Sequence, residues 1–148
     1  MTLRYGLKTA ADLYAKLQRD AQRLDDTVDS DRFFNFVVTA RHLRQWIEKD
    51  PSIARDVRSR LGHEAKSDLL AICTDIANAS KHFAPHPAKV TDVALSIRGF
   101  GAGRFGKGKF GIGEETITIK LKNGTEINVL DLVAQVLDLY ARVFGNDE

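Results

Sequence analysis

The sequence predicts an α+β domain, mainly α: a helical bundle of about five helices, with a β-hairpin or small antiparallel sheet inserted before the last helix. Three observations predict it. Apolar residues recur at spacings of three and four up to Phe83, and again from Leu130 to Phe144. Between these stretches the period changes to two, with Val93, Leu95 and Ile97 and then Ile117, Ile119 and Leu121 alternating with small or polar residues. Asn123-Gly124 follows at once and signals a hairpin.

The elements follow in order. Thr9 can cap a first helix over 10–26, with Asp12 three positions on and Leu13, Leu17, Ala21 and Leu24 as its apolar stripe. Ser30 is the expected cap of a second helix, Asp31 to Lys49, which turns Phe33, Phe36, Val37, Ala40, Leu43 and Ile47 inward with Trp46 beside them. Asp50-Pro51 reads as the start of a short third helix that stops at Gly62. A fourth helix, Glu64 to Phe83, is expected to bury Leu69, Ile72, Cys73, Ile76 and Ala79 or Ser80 before Pro85 and Pro87 end it.

A three-residue loop, Asn123 to Thr125, is expected to set Leu121 against Ile127, Ile119 against Val129 and Lys122 against Glu126. A two-residue loop would mix the faces. The fifth helix, Leu130 to Phe144, ends at Gly145 and is apolar over more than half its circumference, so it belongs at the centre or at an interface. The chain thus reads as a single domain: bundle 1–87, hairpin insertion 88–129 and closing helix 130–145.

Composition narrows the class. With 148 residues, 43% hydrophobic and 28% charged, the chain can bury the core of one globular domain. No apolar run approaches the roughly 20 residues that span a bilayer, and the first residues carry no segment of signal-peptide type, so a cytoplasmic protein without a membrane partner is expected. Cys73 has no partner for an internal disulfide and is expected to be a small buried apolar residue. A homodimer is expected, because helices two and five together offer more apolar surface than a bundle of this size readily covers.

Charge placement says more than the net charge of +2. The segment 98–113 holds seven of the eleven glycines, three phenylalanines, no acid, and the cations Arg98, Arg104, Lys107 and Lys109. Gly101, Gly103 and Gly106 spell a dinucleotide fingerprint, but no helix follows and no βαβ unit surrounds it. Gly101 to Lys107 matches a P-loop by letter, yet Gly108 stands where Ser or Thr is needed. What remains is a basic, aromatic loop that can grip phosphate and stack on unpaired bases.

Two polar stripes complete the inventory. Helix two carries Arg32, Asn35, Thr39 and His42 at helical spacing, and helix four carries Asp75, Asn78 and His82. Packed antiparallel, these would bring an imidazole near a carboxylate and a carboxamide, a workable proton-transfer group. His82 and His86 are four apart but separated by Pro85, with no thiolate or carboxylate to complete a set, so no metal and no cofactor is expected.

The segment Asp75-Ile-Ala-Asn-Ala-Ser-Lys-His-Phe83 resembles the signature helix of the HEPN superfamily, helical bundles many of which cut RNA in toxin and defence roles. That motif is an Arg, a polar residue, and a His four to six residues after the Arg. Asn78 and His82 match it, while Ala77 occupies the arginine position. The resemblance covers about twenty residues and implies a dimer whose motifs face one cleft, RNA as partner, and His82 as general acid or base oriented by Asn78 and Asp75. Lys81, Arg98, Arg104, Lys107 and Lys109 would then meet phosphate. The expected function is an RNA-associated protein, a metal-independent ribonuclease or a relative that binds without cutting. The alternative is a non-catalytic homodimeric interaction module.

Overall fold

The computed structural model describes residues 5–64, 68–81, 90–98 and 114–145, with the backbone alone at 80–81, 90–98 and 114–115. In chain order the elements are α1 (Ala10–Asp26), α2 (Ser30–Lys49), α3 (Arg55–Glu64), α4 (Asp68–Lys81), β1 (Val90–Arg98), β2 (Glu114–Leu121), β3 (Glu126–Asn128) and α5 (Val129–Phe144). This is the expected mainly helical α+β arrangement, with the sheet placed before the last helix.

The α1 boundaries follow from its caps. The Thr9 hydroxyl accepts the Asp12 N–H at 3.1 Å and the Asp12 carboxylate accepts the Thr9 N–H at 3.1 Å, a complete capping box. The Lys8 N–H, which donates to the Asp12 carboxylate at 2.9 Å, and the Thr9 N–H together hold that carboxyl below the usual carboxylate range. For α2 the cap is Asp29, not Ser30: the Asp29 carboxylate takes the Arg32 N–H at 2.8 Å and also pairs with the Arg32 guanidinium. A carboxylate one residue upstream satisfies the helix dipole better than a hydroxyl, so Ser30 becomes helical.

Asp50 does not start α3. Its Oδ1 accepts from Ser52 N at 2.9 Å and Ser52 Oγ at 2.7 Å, which holds residues 51–54 in a turn, and the helix begins at Arg55. Its Oδ2 accepts the Ala10 N–H at 2.8 Å, tying the end of α2 to the beginning of α1. Gly62 does not stop α3 either. The helix continues to Glu64, whose carboxylate is gripped by Arg142 of α5 at 3.2 Å. Glu64 therefore ends α3 and does not open α4.

Within α4, Ile72 and Cys73 are buried as expected, but Leu70, Asp75 and Ala77 are buried more deeply than Leu69 and Ile76, and Ala79 is exposed. The helix is covered on more than one side, since it packs against α2, α5 and β1.

The sheet has order β1-β2-β3 and is antiparallel throughout. Val93 stands opposite Ile119 and Leu95 opposite Ile117. The hairpin loop has three residues, but they are Lys122, Asn123 and Gly124: Gly124 N–H bonds to the Leu121 carbonyl at 3.0 Å and Leu121 N–H to the Thr125 carbonyl at 2.9 Å. Gly124 has φ +90°, the left-handed residue that closes such a loop, and this requirement sets the register. Ile119 therefore faces Ile127 instead of Val129, a slip that keeps apolar residues on one face. Val129 leaves the strand to open α5, capped by the Asn128 side chain, which accepts the Leu130 N–H at 2.9 Å.

α5 is central. It packs against all four other helices and against β2 and β3. Leu132, Val136, Leu139, Tyr140 and Val143 are fully buried, each worth about 1.5–3 kcal/mol by area. The Tyr140 hydroxyl donates to the Ala40 carbonyl at 2.6 Å, joining the centres of α5 and α2. Gly145, at φ +80°, ends the helix, and Arg60 of α3 donates to the Val143 carbonyl at 2.8 Å. The apolar surface of α5 is thus covered inside the chain, which withdraws its share of the surplus invoked for a dimer. Among the described residues no helix is long and apolar enough to cross a membrane.

Candidate functional site between α2 and α4

The polar stripe expected on α2 does not act as one surface. Arg32 turns back to its cap, Asn35 is exposed, Thr39 faces α1, and His42 lines a cavity shared with α4. The two flanks of α2 are therefore separate environments.

On the α1 flank, Asp20 is 3% exposed and fully engaged. Its Oδ2 accepts from Lys16 Nζ at 2.6 Å and lies 2.7 Å from Thr39 Oγ1, while its Oδ1 pairs with Arg23 at 3.2 Å. Lys16 Nζ also donates to Thr39 Oγ1 at 2.8 Å, and that hydroxyl has the Asn35 carbonyl 2.8 Å away as a second acceptor. Each buried polar atom has a partner, as a low-dielectric position demands. This cluster is a clamp between α1 and α2.

On the α4 flank, α2 contributes Phe34, Val38, Arg41, His42 and Gln45 to a cavity of about 310 Å³, and α4 contributes Ala77 and Asn78. None of these described lining residues is acidic. Arg41, His42, Gln45 and Asn78 form no side-chain hydrogen bond or ion pair with a described residue. Burial lowers the His42 pKa, and the nearby charges of Arg41 and Lys16 lower it further, so the imidazole is neutral at pH 7. Phe34 is 46% exposed, one of two exposed large apolar residues among those described. The cavity thus offers one permanent cation, a neutral imidazole, two carboxamides and an aromatic ring, all available to a ligand.

A second cavity, of about 480 Å³, lies where α3 meets α5 and is lined by Ser59, Arg60, His63, Glu64 and Arg142. Its arginines are already committed: Arg60 to Asp56 and the Val143 carbonyl, Arg142 to Glu64 and Asp138. It reads as a structural seam.

Of the residues expected to form a site, Asn78 lines the α2–α4 cavity, while Asp75 is buried and does not line it. Asp75 is therefore not placed with Asn78 on one open surface. His82, Arg104, Lys107 and Lys109 lie outside the described residues, and Lys81 and Arg98 are described by backbone alone. Arg98 stands opposite Glu114 at the end of the β1–β2 ladder. Cys73 is buried, its thiol pushed up to about 12 by desolvation, and is unreactive. Among the described residues no group of three or more His, Cys, Asp or Glu is placed to hold a metal ion.

Phe34, Arg41 and Gln45 were not singled out from the sequence. Their signal was present: positions 34, 38, 41 and 45 repeat at four, three and four, a second helical face beside the apolar one.

Compared with protein-family models, curated proteins and solved structures, the chain finds no match.

Proposed function

We propose that the protein is an HEPN-like RNA-associated domain that holds RNA in the α2–α4 cleft without cutting it. One observation carries this reading: Arg41 of α2 opens onto the same cavity as Asn78, the polar residue of the resembled motif, next to Ala77 at the arginine position, and none of the described lining residues is acidic. A guanidinium supplied by the neighbouring helix can hold a phosphate there bidentately. Binding without scission is preferred because Ala77 removes the motif's own arginine. The basic segment holding Arg104, Lys107 and Lys109 supplies further cations in the sequence.

Titration with mixed-sequence single-stranded RNA at low salt tests the reading. Changing Arg104, Lys107 and Lys109 together to Ala is expected to weaken binding to all sequences alike and to flatten the log–log salt dependence by about two units, at roughly 0.7 counterions per single-strand phosphate contact. No binding at roughly 100 μM RNA would remove the reading. The second reading, a homodimeric interaction module, draws on the exposure of Phe34 beside half-buried Val38. Sedimentation showing only a 16.5 kDa species would end it.

A further inference from the structure

We infer that Phe34, Arg41 and the carboxamides of Gln45 and Asn78 form a subsite for an unpaired nucleobase, so that the α2–α4 cleft takes single-stranded RNA and rejects duplex. This rests on the RNA reading above and deepens it. Three features of the cleft support it. Phe34 is 46% exposed and lines the cavity, so part of its apolar surface is open, and every nucleobase presents a π-face that can cover it. Arg41 lies seven residues further along the same helix, about 10 Å along the axis, so a base on Phe34 and a phosphate of the same strand at Arg41 can be held together. Gln45 and Asn78 each carry a donor and an acceptor, the pair of functions displayed by a base's Watson–Crick edge or a ribose 2′-hydroxyl.

Charge selects the occupant. The described lining contains a cation and no carboxylate, which suits an anionic phosphodiester strand and opposes a basic peptide. At about 310 Å³ the cavity lies at the small end of the range for ligand pockets, roughly 300–1,000 Å³, which leaves room for a splayed base. In duplex RNA the base faces are already stacked and the Watson–Crick edges paired, so Phe34 gains no partner and the carboxamides are left only the 2′-hydroxyls of the minor groove.

The test uses the full chain, an RNA oligonucleotide containing 2-aminopurine, and the same oligonucleotide annealed to its complement. The single strand is expected to bind at least about tenfold more tightly than the duplex, with a change in 2-aminopurine fluorescence on binding. Phe34→Ala is expected to lower single-strand affinity about five- to a hundredfold, to leave duplex affinity alone, and to fold normally because the ring is exposed. Phe34→Tyr is expected to restore wild-type affinity. If wild type binds RNA but Phe34→Ala binds single strand as wild type does, the base subsite is overturned while the RNA reading survives. If wild type binds no RNA, both fall. If Phe34→Ala instead converts a dimer to a monomer with RNA affinity unchanged, the ring is an interface between copies and the subsite is overturned.

Discussion

On the α1 side of α2, Lys16, Asp20 and Thr39 meet one another within 2.6–2.8 Å, whereas on the α4 side Arg41, His42, Gln45 and Asn78 open onto a cavity. Both flanks are polar and both come from the same twenty-residue helix. The first is saturated: a buried carboxylate is answered by two cations and a hydroxyl, and nothing is left for a ligand. The second is unsaturated: its donors and acceptors have no described protein partner and face solvent. Polarity on a helix face therefore does not by itself mark a site. What separates a clamp from a site is whether the polar atoms already answer one another.

The contrast can be broken by two substitutions with opposite signatures. Asp20→Ala is expected to have the larger effect, a loss of about 1.5–3 kcal/mol of stability, because it removes charge-assisted bonds from three partners. It should fall short of the 3–5 kcal/mol typical of a fully buried pair, since Lys16 at 31% and Arg23 at 60% exposure can turn to water. Denaturant unfolding with an unchanged m value measures it, and RNA affinity of the folded variant should stay at the wild-type level. Arg41→Ala is expected to do the reverse. Stability should change by less than about 0.5 kcal/mol, while RNA affinity falls about tenfold and the salt slope drops by about 0.7. A destabilised Arg41→Ala, or an Asp20→Ala that loses RNA affinity, would erase the distinction between the flanks.

How far this was legible in the sequence depends on what kind of signal each element carries. The frames of α1 and α5 were legible because caps and apolar spacing agree locally, Thr9 with Asp12 and Gly145 after Phe144. That of α2 was legible by its apolar spacing, while its cap lies one residue earlier, at Asp29. The α3 start was not, because Asp50 is a good cap whose carboxylate is claimed by Ala10, forty residues away in the chain. The hairpin register was missed by two residues because face alternation has a period of two and cannot choose between pairings that keep parity. The left-handed position chose, by placing Gly124 last in the loop. For the site, Asn78 was legible as a motif letter. Arg41 was not, because its relation to Asn78 exists only once α2 and α4 are packed, and Asp75 on the same expected stripe turned out to be buried. Spacing reports which residues share a helix face, but not which neighbour that face will meet.

The smallest expected effect is the most specific to the open flank. His42 has a pKa lowered by burial and by the charges of Arg41 and Lys16, so the neutral imidazole is favoured and the proton is taken up at lower pH than by a free imidazole. In the RNA-free protein a lowered histidine pKa means that the unfolded chain binds the proton more readily. Its stabilising contribution is therefore complete above the unfolded pKa and is lost as the pH falls below it. RNA affinity should move the other way. The protonated imidazole adds a cation to the cleft, and a bound phosphate favours that proton, so affinity should rise about two- to fivefold between pH 7.5 and pH 5.5. The salt slope should steepen by up to about 0.7 over the same range. Asp12 and Asp50 do not interfere, because their carboxyls are held below the usual range and stay ionised throughout. His42→Gln keeps a polar side chain of similar reach and removes the titration, so its RNA affinity should be flat over this window while wild type keeps its slope. An equal pH dependence in both proteins would move the proton to another histidine and leave His42 with no part in binding.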